Sequence, residues 1–236
     1  DFCLSRGLGD VYKRQPPSRT SLQLDQRSDG ISSGVTFLNE LSTSKSGVIR
    51  GMVDLKRIGV MGHSMGGASA ILATVRDSRV RSTVSLAPAN ARPGSFLFTK
   101  ALEAAKGVNV PLQIQVGSKD NLTRKDLAHQ YYVNTPGVAG KEYVEINGGG
   151  HIQFLDGLDT MLSVLDRATT LGLGILDRSA TLSLRRQHEI SAIFFTAWFE
   201  YFLHGQESFA AYIFGTDAQN ALATGALSAI EWVKPP

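Results

Sequence analysis

Cys3 is the only thiol in this 236-residue chain, which rules out an intrachain disulfide and any metal site built from cysteines. Long hydrophobic runs are missing too, and none approaches the ~18 residues that a membrane-crossing helix needs. No transmembrane segment is therefore expected. An excess of one charge is also lacking. With 24 basic and 21 acidic residues the net charge is only +3, and no basic run interleaved with aromatics offers a face for nucleic acid. There is no internal repeat, no low-complexity tract and no G-x-x-x-x-G-K-[ST] phosphate loop. What is present, 42% hydrophobic and 19% charged residues, suits one globular domain with a substantial core.

Residues 1–15, DFCLSRGLGDVYKRQ, have no signal-peptide pattern and resemble one reading frame of a sequencing-library adapter. We expect them to be translated adapter, outside any domain, so that fold reasoning begins at residue 16. Residues 16–26 are polar and Pro-led and read as loop. Ile31, Val35, Leu38 and Leu41 recur at helical spacing across Asp29–Leu41. Strands are expected at Leu55–Met61, Val80–Leu86, Leu112–Val116 and Tyr143–Ile146. Helices are expected at Met65–Arg76, Phe96–Lys106, Leu122–Tyr132 and Ile190–Leu203, with one or two more within 155–186. From Ser208 onward the pattern is weak and predicts little. Strand and helix in alternation predict an α/β fold with a mostly parallel sheet, whose chemistry gathers at the carboxyl ends of the strands.

At one such end stands Gly62-His63-Ser64-Met65-Gly66-Gly67, directly between a predicted strand and a predicted helix. That is the setting a G-x-S-x-G nucleophile elbow requires. A serine on so tight a turn has a strained backbone, and side chains at positions 62 and 66 are expected to collide with their neighbours. The turn lifts the Ser64 hydroxyl clear of the sheet, and the Met65 amide becomes an oxyanion donor at the positive end of the helix. A bland alternative is a glycine-rich turn whose serine only caps the helix.

In this architecture an acid and then a histidine follow the serine. Asp120 lies just past the strand Leu112–Val116, whereas Asp126 falls inside the next helix and reads as a solvated residue. Among five histidines, His63 is too close in sequence to face Ser64, and His129 and His204 lie in helices. His188, near a helix start, is the rival to His151, which follows a strand and the loop Gly148-Gly149-Gly150. The expected roles are Ser64 as nucleophile, His151 as general base and Asp120 as the acid that orients it, with no metal or organic cofactor.

Residues 53–67, VDLKRIGVMGHSMGG, and 142–151, EYVEINGGGH, resemble the cutinase-like polyester (PET) hydrolases and the wider dienelactone-hydrolase-like esterases of the α/β-hydrolase superfamily. The resemblance runs from about Ser18 to His151, with Gly117–Asp120 matching the acid loop. It implies the same triad, Met65 as oxyanion residue, small or polymeric carboxylic esters as partners, and often secretion. Alternatives kept beside it are a small-molecule carboxylesterase or lipase, a cofactor-free haloperoxidase or acyltransferase, and a non-catalytic binding protein on the same fold. The chain departs from the pattern in four places. Serine replaces the cysteine of the dienelactone hydrolases proper. Ala89 follows Ala87-Pro88 where polyester hydrolases carry a tryptophan wall for aromatic substrate. Residues 155–187 exceed the family's length and are expected to form a lid or extra packing helices. Finally, pairing Gln23–Ser28 with the loop before the family's helix starts the matching sequence after the family's first four strands. Residues 16–236 would then be the C-terminal catalytic part of the domain, with an apolar edge on strand Leu55–Met61 and no second oxyanion donor. One lost donor costs about 10²–10³ in rate, so this stretch alone is expected to be poorly soluble and nearly inactive beside a full-length esterase.

Overall fold

The computed structural model describes residues 22–90, 99–137, 139–155 and 179–235. The adapter expectation for 1–15 and most of the 155–187 lid expectation lie outside the described residues. The elements are α1 (Leu22–Thr43), β1 (Ile58–His63), α2 (Met65–Arg76), β2 (Val80–Leu86), α3 (Thr99–Ala105), β3 (Leu112–Gly117) and α4 (Lys125–Asn134). They continue with β4 (Lys141–Ile146), α5 (Leu184–His204), α6 (Ala210–Phe214), α7 (Thr216–Ala223) and β5 (Leu227–Val233). The sheet order is β1-β2-β3-β4-β5, parallel from β1 to β4, with β5 antiparallel to β4. This is the expected α/β fold. Among the described residues β1 is an edge, paired with β2 alone.

Period-2 alternation sorts the strands between two helix layers. Leu112, Ile114 and Val116 of β3 meet Ala68, Ile71 and Leu72 of α2 and Tyr131 of α4 on one face. On the other, Val84 and Leu86 of β2 pack with Ala197 and Trp198 of α5, and Val144 and Ile146 of β4 with Ile190 and Phe194. Helix α2, MGGASAILATVR, is built of small residues, and Gly67 to Thr74 are all buried, which lets its axis lie close on the sheet. Helix α1 is pinned to the end of α2 and the turn after it by polar contacts: Asp25 pairs with Arg76, and the guanidinium of Arg79, in that turn, donates to Thr36 Oγ1 (2.9 Å) and Ser32 O (3.0 Å). Helix α5 starts at Ser183, whose hydroxyl accepts from Arg186 N (3.3 Å), and stops at Gly205 with φ 68°.

Several elements differ from expectation. Strand β1 runs Ile58–His63 where Leu55–Met61 was expected, and helix α5 begins at Leu184 where Ile190 was expected. Helix α1 begins at Leu22, inside the stretch read as loop, because Leu24 is buried in the core. Helix α4 starts at Lys125, since residues 120–123 are used by the Asp120 turn described below. The C-terminal stretch, in which little was legible, forms two short helices and the antiparallel strand β5, whose Leu227 is buried against Ile146.

A polar seam runs beneath α5. Ser191 Oγ donates to Gln115 Oε1 (2.6 Å), Gln115 Nε2 to Gln113 Oε1 (2.8 Å), and Gln113 Nε2 to Glu142 Oε2 (2.6 Å). Burial pushes the Glu142 carboxyl well above its ordinary range, against the bond from Gln113, so the fold favours its neutral form. In the unfolded chain it ionises above about 4.5, so its contribution to stability is lost as the pH rises from there. Glu142→Gln is expected to match wild type near pH ~4 and to be the more stable protein near pH ~8, as read by urea unfolding. An equal offset at both pH values contradicts this.

Candidate active site

Ser64 connects β1 to α2 with φ 56° and ψ −119°, a positive φ that a residue with a side chain adopts only when its surroundings impose it. They do so here. Ser64 N donates to Leu86 O (2.9 Å), and Ser64 O accepts from Ala89 N (2.8 Å) and Ala68 N (3.2 Å). The turn is thus stitched to the end of β2. The hydroxyl makes no capping bond to its helix; Oγ lies 3.0 Å from His151 Nε2. The capping alternative does not describe this serine. Met65 opens α2, so its amide is among the first-turn N–H groups that have no intrahelical acceptor.

The glycines are crowded in a different pattern from the one expected. A Cβ on Gly62 would meet Gly66 O at 2.3 Å, and one on Gly67 would meet Ser85 Oγ at 2.7 Å, but a Cβ on Gly66 would meet nothing within 4 Å. The expectation of a collision at position 66 is corrected: the crowded pair is 62 and 67. Gly62→Ala must move backbone and is expected to cost several-fold or more in activity along with ~2 kcal/mol or more of stability. Gly66→Ala is expected to be neutral or to gain ~0.5–1 kcal/mol, as for a helical glycine whose added Cβ meets open space. Thermal melts and activities of the two variants check the contrast, and equal losses contradict it.

Asp120 follows β3 in a tight turn. Its Oδ1 accepts from Leu122 N and Thr123 N, each at 2.8 Å, a local arrangement typical of Asp in turns. Its Oδ2 accepts from Thr123 Oγ1 (2.7 Å) and from His151 Nδ1 (2.8 Å). Burial raises the carboxyl pKa, but the hydrogen bond and charge of His151 and the bonds of Thr123 outweigh it, so Asp120 is held below its ordinary value and is ionised at neutral pH. An ionised carboxylate only accepts, so His151 Nδ1 carries the proton and Nε2 presents its lone pair to Ser64.

His151, 2% exposed, stands at the end of the glycine loop after β4. The acid and base loops touch through backbone: a Cβ on Gly117 would meet Gly149 C at 2.4 Å, and Lys119 N donates to Gly149 O (2.8 Å). His63 turns its ring to within 4.6 Å of the His151 ring and holds Nε2 3.0 Å from His151 O. A carbonyl only accepts, so His63 Nε2 is the donor. Burial, with the nearby His151 ring, lowers the His63 pKa to about 4, which keeps that ring neutral at ordinary pH.

The structure therefore brings Ser64, Asp120 and His151 together, with the Met65 amide beside them. The competing residues lie elsewhere: Asp126 is exposed and paired with Arg124, His129 with Glu231, and His204 with Glu200, while His188 lies in α5. Sequence reasoning missed Thr123 and the tether from His63. Thr123 had a signal, a hydroxyl three residues after a strand-end Asp; the His63 bond spans 88 positions and had none. Such a geometry can draw a proton from a hydroxyl and hold the resulting imidazolium. Among the described residues no group of three or more His, Cys, Asp or Glu could hold a metal ion, and no helix is long and apolar enough to cross a membrane.

Two comparisons with known proteins bear on this geometry. Cutinase est2 of Thermobifida alba is 24% identical over 133 residues, which cover 56% of this chain and 41% of that protein. The chain thus spans less than half the length of this curated relative. The family described as PETase, PET hydrolase-like, matches residues 16–165, a segment that holds Ser64, Asp120 and His151, and the chain belongs to that family.

Proposed function

We propose that the protein hydrolyses carboxylic esters through an acyl-enzyme on Ser64. The observation that carries this is the imidazole of His151 bridging the Ser64 hydroxyl at 3.0 Å and the Asp120 carboxylate at 2.8 Å. His151 Nε2 takes the Oγ proton as the oxygen attacks the ester carbonyl, and returns it to the leaving alcohol as the tetrahedral intermediate collapses. Water repeats the sequence on the acyl-enzyme and releases the acid. The Met65 amide donates to the developing oxyanion, and the positive end of α2 adds to it.

For substrate class, the family and the cutinase relative support polyester and cutin-like esters beside small ones. One residue favours the aliphatic side. Ala89, where the sequence resemblance leads to an aromatic wall, is 6% exposed and donates its amide to Ser64 O, so it offers a ring-bearing substrate no stacking surface. We expect turnover of p-nitrophenyl butyrate and of an aliphatic polyester to exceed that of an aromatic polyester by tenfold or more. Equal rates on both polyesters contradict the aliphatic preference, and a folded protein that a fluorophosphonate leaves unmodified at Ser64 contradicts the acyl-enzyme.

A further inference from the structure

Gln187 lies in the first turns of α5, 36 positions after His151, and is 0% exposed. Its carboxamide does not take part in the polar seam beneath the helix. It pairs instead with both main-chain groups of one residue of the base loop: Oε1 accepts from Gly150 N (2.9 Å) and Nε2 donates to Gly150 O (2.9 Å). The two bonds reach the peptide units on either side of the Gly150 α-carbon, as in a hydrogen-bonded residue pair of an antiparallel ladder, and so fix the position and backbone conformation of Gly150. The carbonyl of Gly150 belongs to the peptide that joins it to His151, so the bond from Gln187 Nε2 helps set the direction in which the imidazole leaves the backbone.

The neighbourhood is shaped to admit this clamp. A Cβ on Gly149 would meet Gln187 Oε1 at 2.7 Å, so the missing side chain at 149 makes room for the carboxamide. Gln153 Oε1 also accepts from Gly150 N (2.8 Å), while its Nε2 donates to Leu182 O (2.6 Å) in the chain leading into α5. One turn beyond Gln187, Ser191 Oγ bonds Gln115 of β3, and this bond does not reach the base loop. His63 holds the carbonyl of His151 from the opposite side. Residue 151 is thus gripped before and after its α-carbon by side chains of two distant elements.

We propose that Gln187 is a positioning residue for the general base: it holds the backbone of Gly150 on both sides of its α-carbon so that His151 Nε2 meets the Ser64 hydroxyl. This rests on the acyl-enzyme proposal above. Without the clamp the loop still folds, but the imidazole samples directions away from Ser64. A displacement of about 1 Å at a reacting group can cost up to ~10²-fold.

The test is the inactivation of this chain by a fluorophosphonate, with the first-order rate constant kinact separated from the binding constant and the adduct located by peptide mass. Gln187→Met keeps the length of the side chain and removes both bonds. Gln187→Ala leaves room for water to satisfy Gly150, and so keeps the test open if the dry methionine variant does not fold. Ser191→Ala is the control, removing a buried bond of the same helix without touching Gly150. Expected are a fall in kinact of ~10- to 100-fold for the Gln187 variants with binding unchanged, and wild-type kinact for Ser191→Ala even where its melting temperature drops. Folded Gln187 variants that inactivate within twofold of wild type overturn the clamp, as does a Ser191→Ala variant that slows as much as they do. Wild-type protein with no adduct at Ser64 contradicts the acyl-enzyme itself and removes the clamp's role with it.

Discussion

Replacing Ser64 by alanine is expected to lower ester hydrolysis by about 10⁶-fold while leaving the fold intact. The size follows from the division of labour in the site. Without Oγ there is no nucleophile for His151 to activate, and only binding and the oxyanion donor remain. Stability should change little, because the Ser64 hydroxyl makes its bond to His151 Nε2 and none to the backbone of its helix. The strained turn is held by main-chain bonds from Leu86 and Ala89, which alanine preserves. A serine that merely capped α2 would behave in the opposite way, with ~1 kcal/mol of stability lost and activity untouched. Initial rates and a melting curve on one preparation separate the two.

Asp120→Asn is expected to lower kcat by about 10⁴-fold, for a reason the geometry makes specific. Oδ1 accepts from two backbone amides, Leu122 N and Thr123 N, so the oxygen of an asparagine is drawn to that side. Its NH2 group is then left where Oδ2 stood, facing His151 Nδ1. A donor there favours the ring tautomer with its proton on Nε2, which has no lone pair to offer Ser64. Thr123 Oγ1, 3.1 Å from Nδ1, can accept from the new amide and does not restore the charge. Binding of substrate should be nearly unchanged. A fall in kcat of less than about tenfold would mean that the carboxylate does not set the tautomer.

Much of this was legible in the sequence because the decisive contacts are local. The ends of α2 and β2 fall where glycine spacing, a small-residue run and Pro88 place them, and the positions of Ser64, Asp120 and His151 after the ends of β1, β3 and β4 follow from alternation of strand and helix. Other features depend on partners far along the chain. Which glycine of the elbow is crowded is decided by Ser85 on the neighbouring strand, so the motif alone pointed to Gly66 where the contacts select Gly67. Strand β5 carries Ser228, Glu231 and other partly exposed residues, and it is a strand because β4 offers it an edge. Gln113, Gln115 and Glu142 are polar yet buried, bonded to one another and to the Phe194 and Ser191 carbonyls of α5, which lie far along the chain. Gln187 had no local signature at all.

Acid quenching during turnover of a p-nitrophenyl ester, followed by mass mapping of the peptides, addresses the central claim most directly. An acyl group on the peptide that contains Ser64, absent from Ser64→Ala and strongly reduced in His151→Ala, is the predicted result. Acylation at another residue, or hydrolysis that continues unchanged in Ser64→Ala, would contradict it.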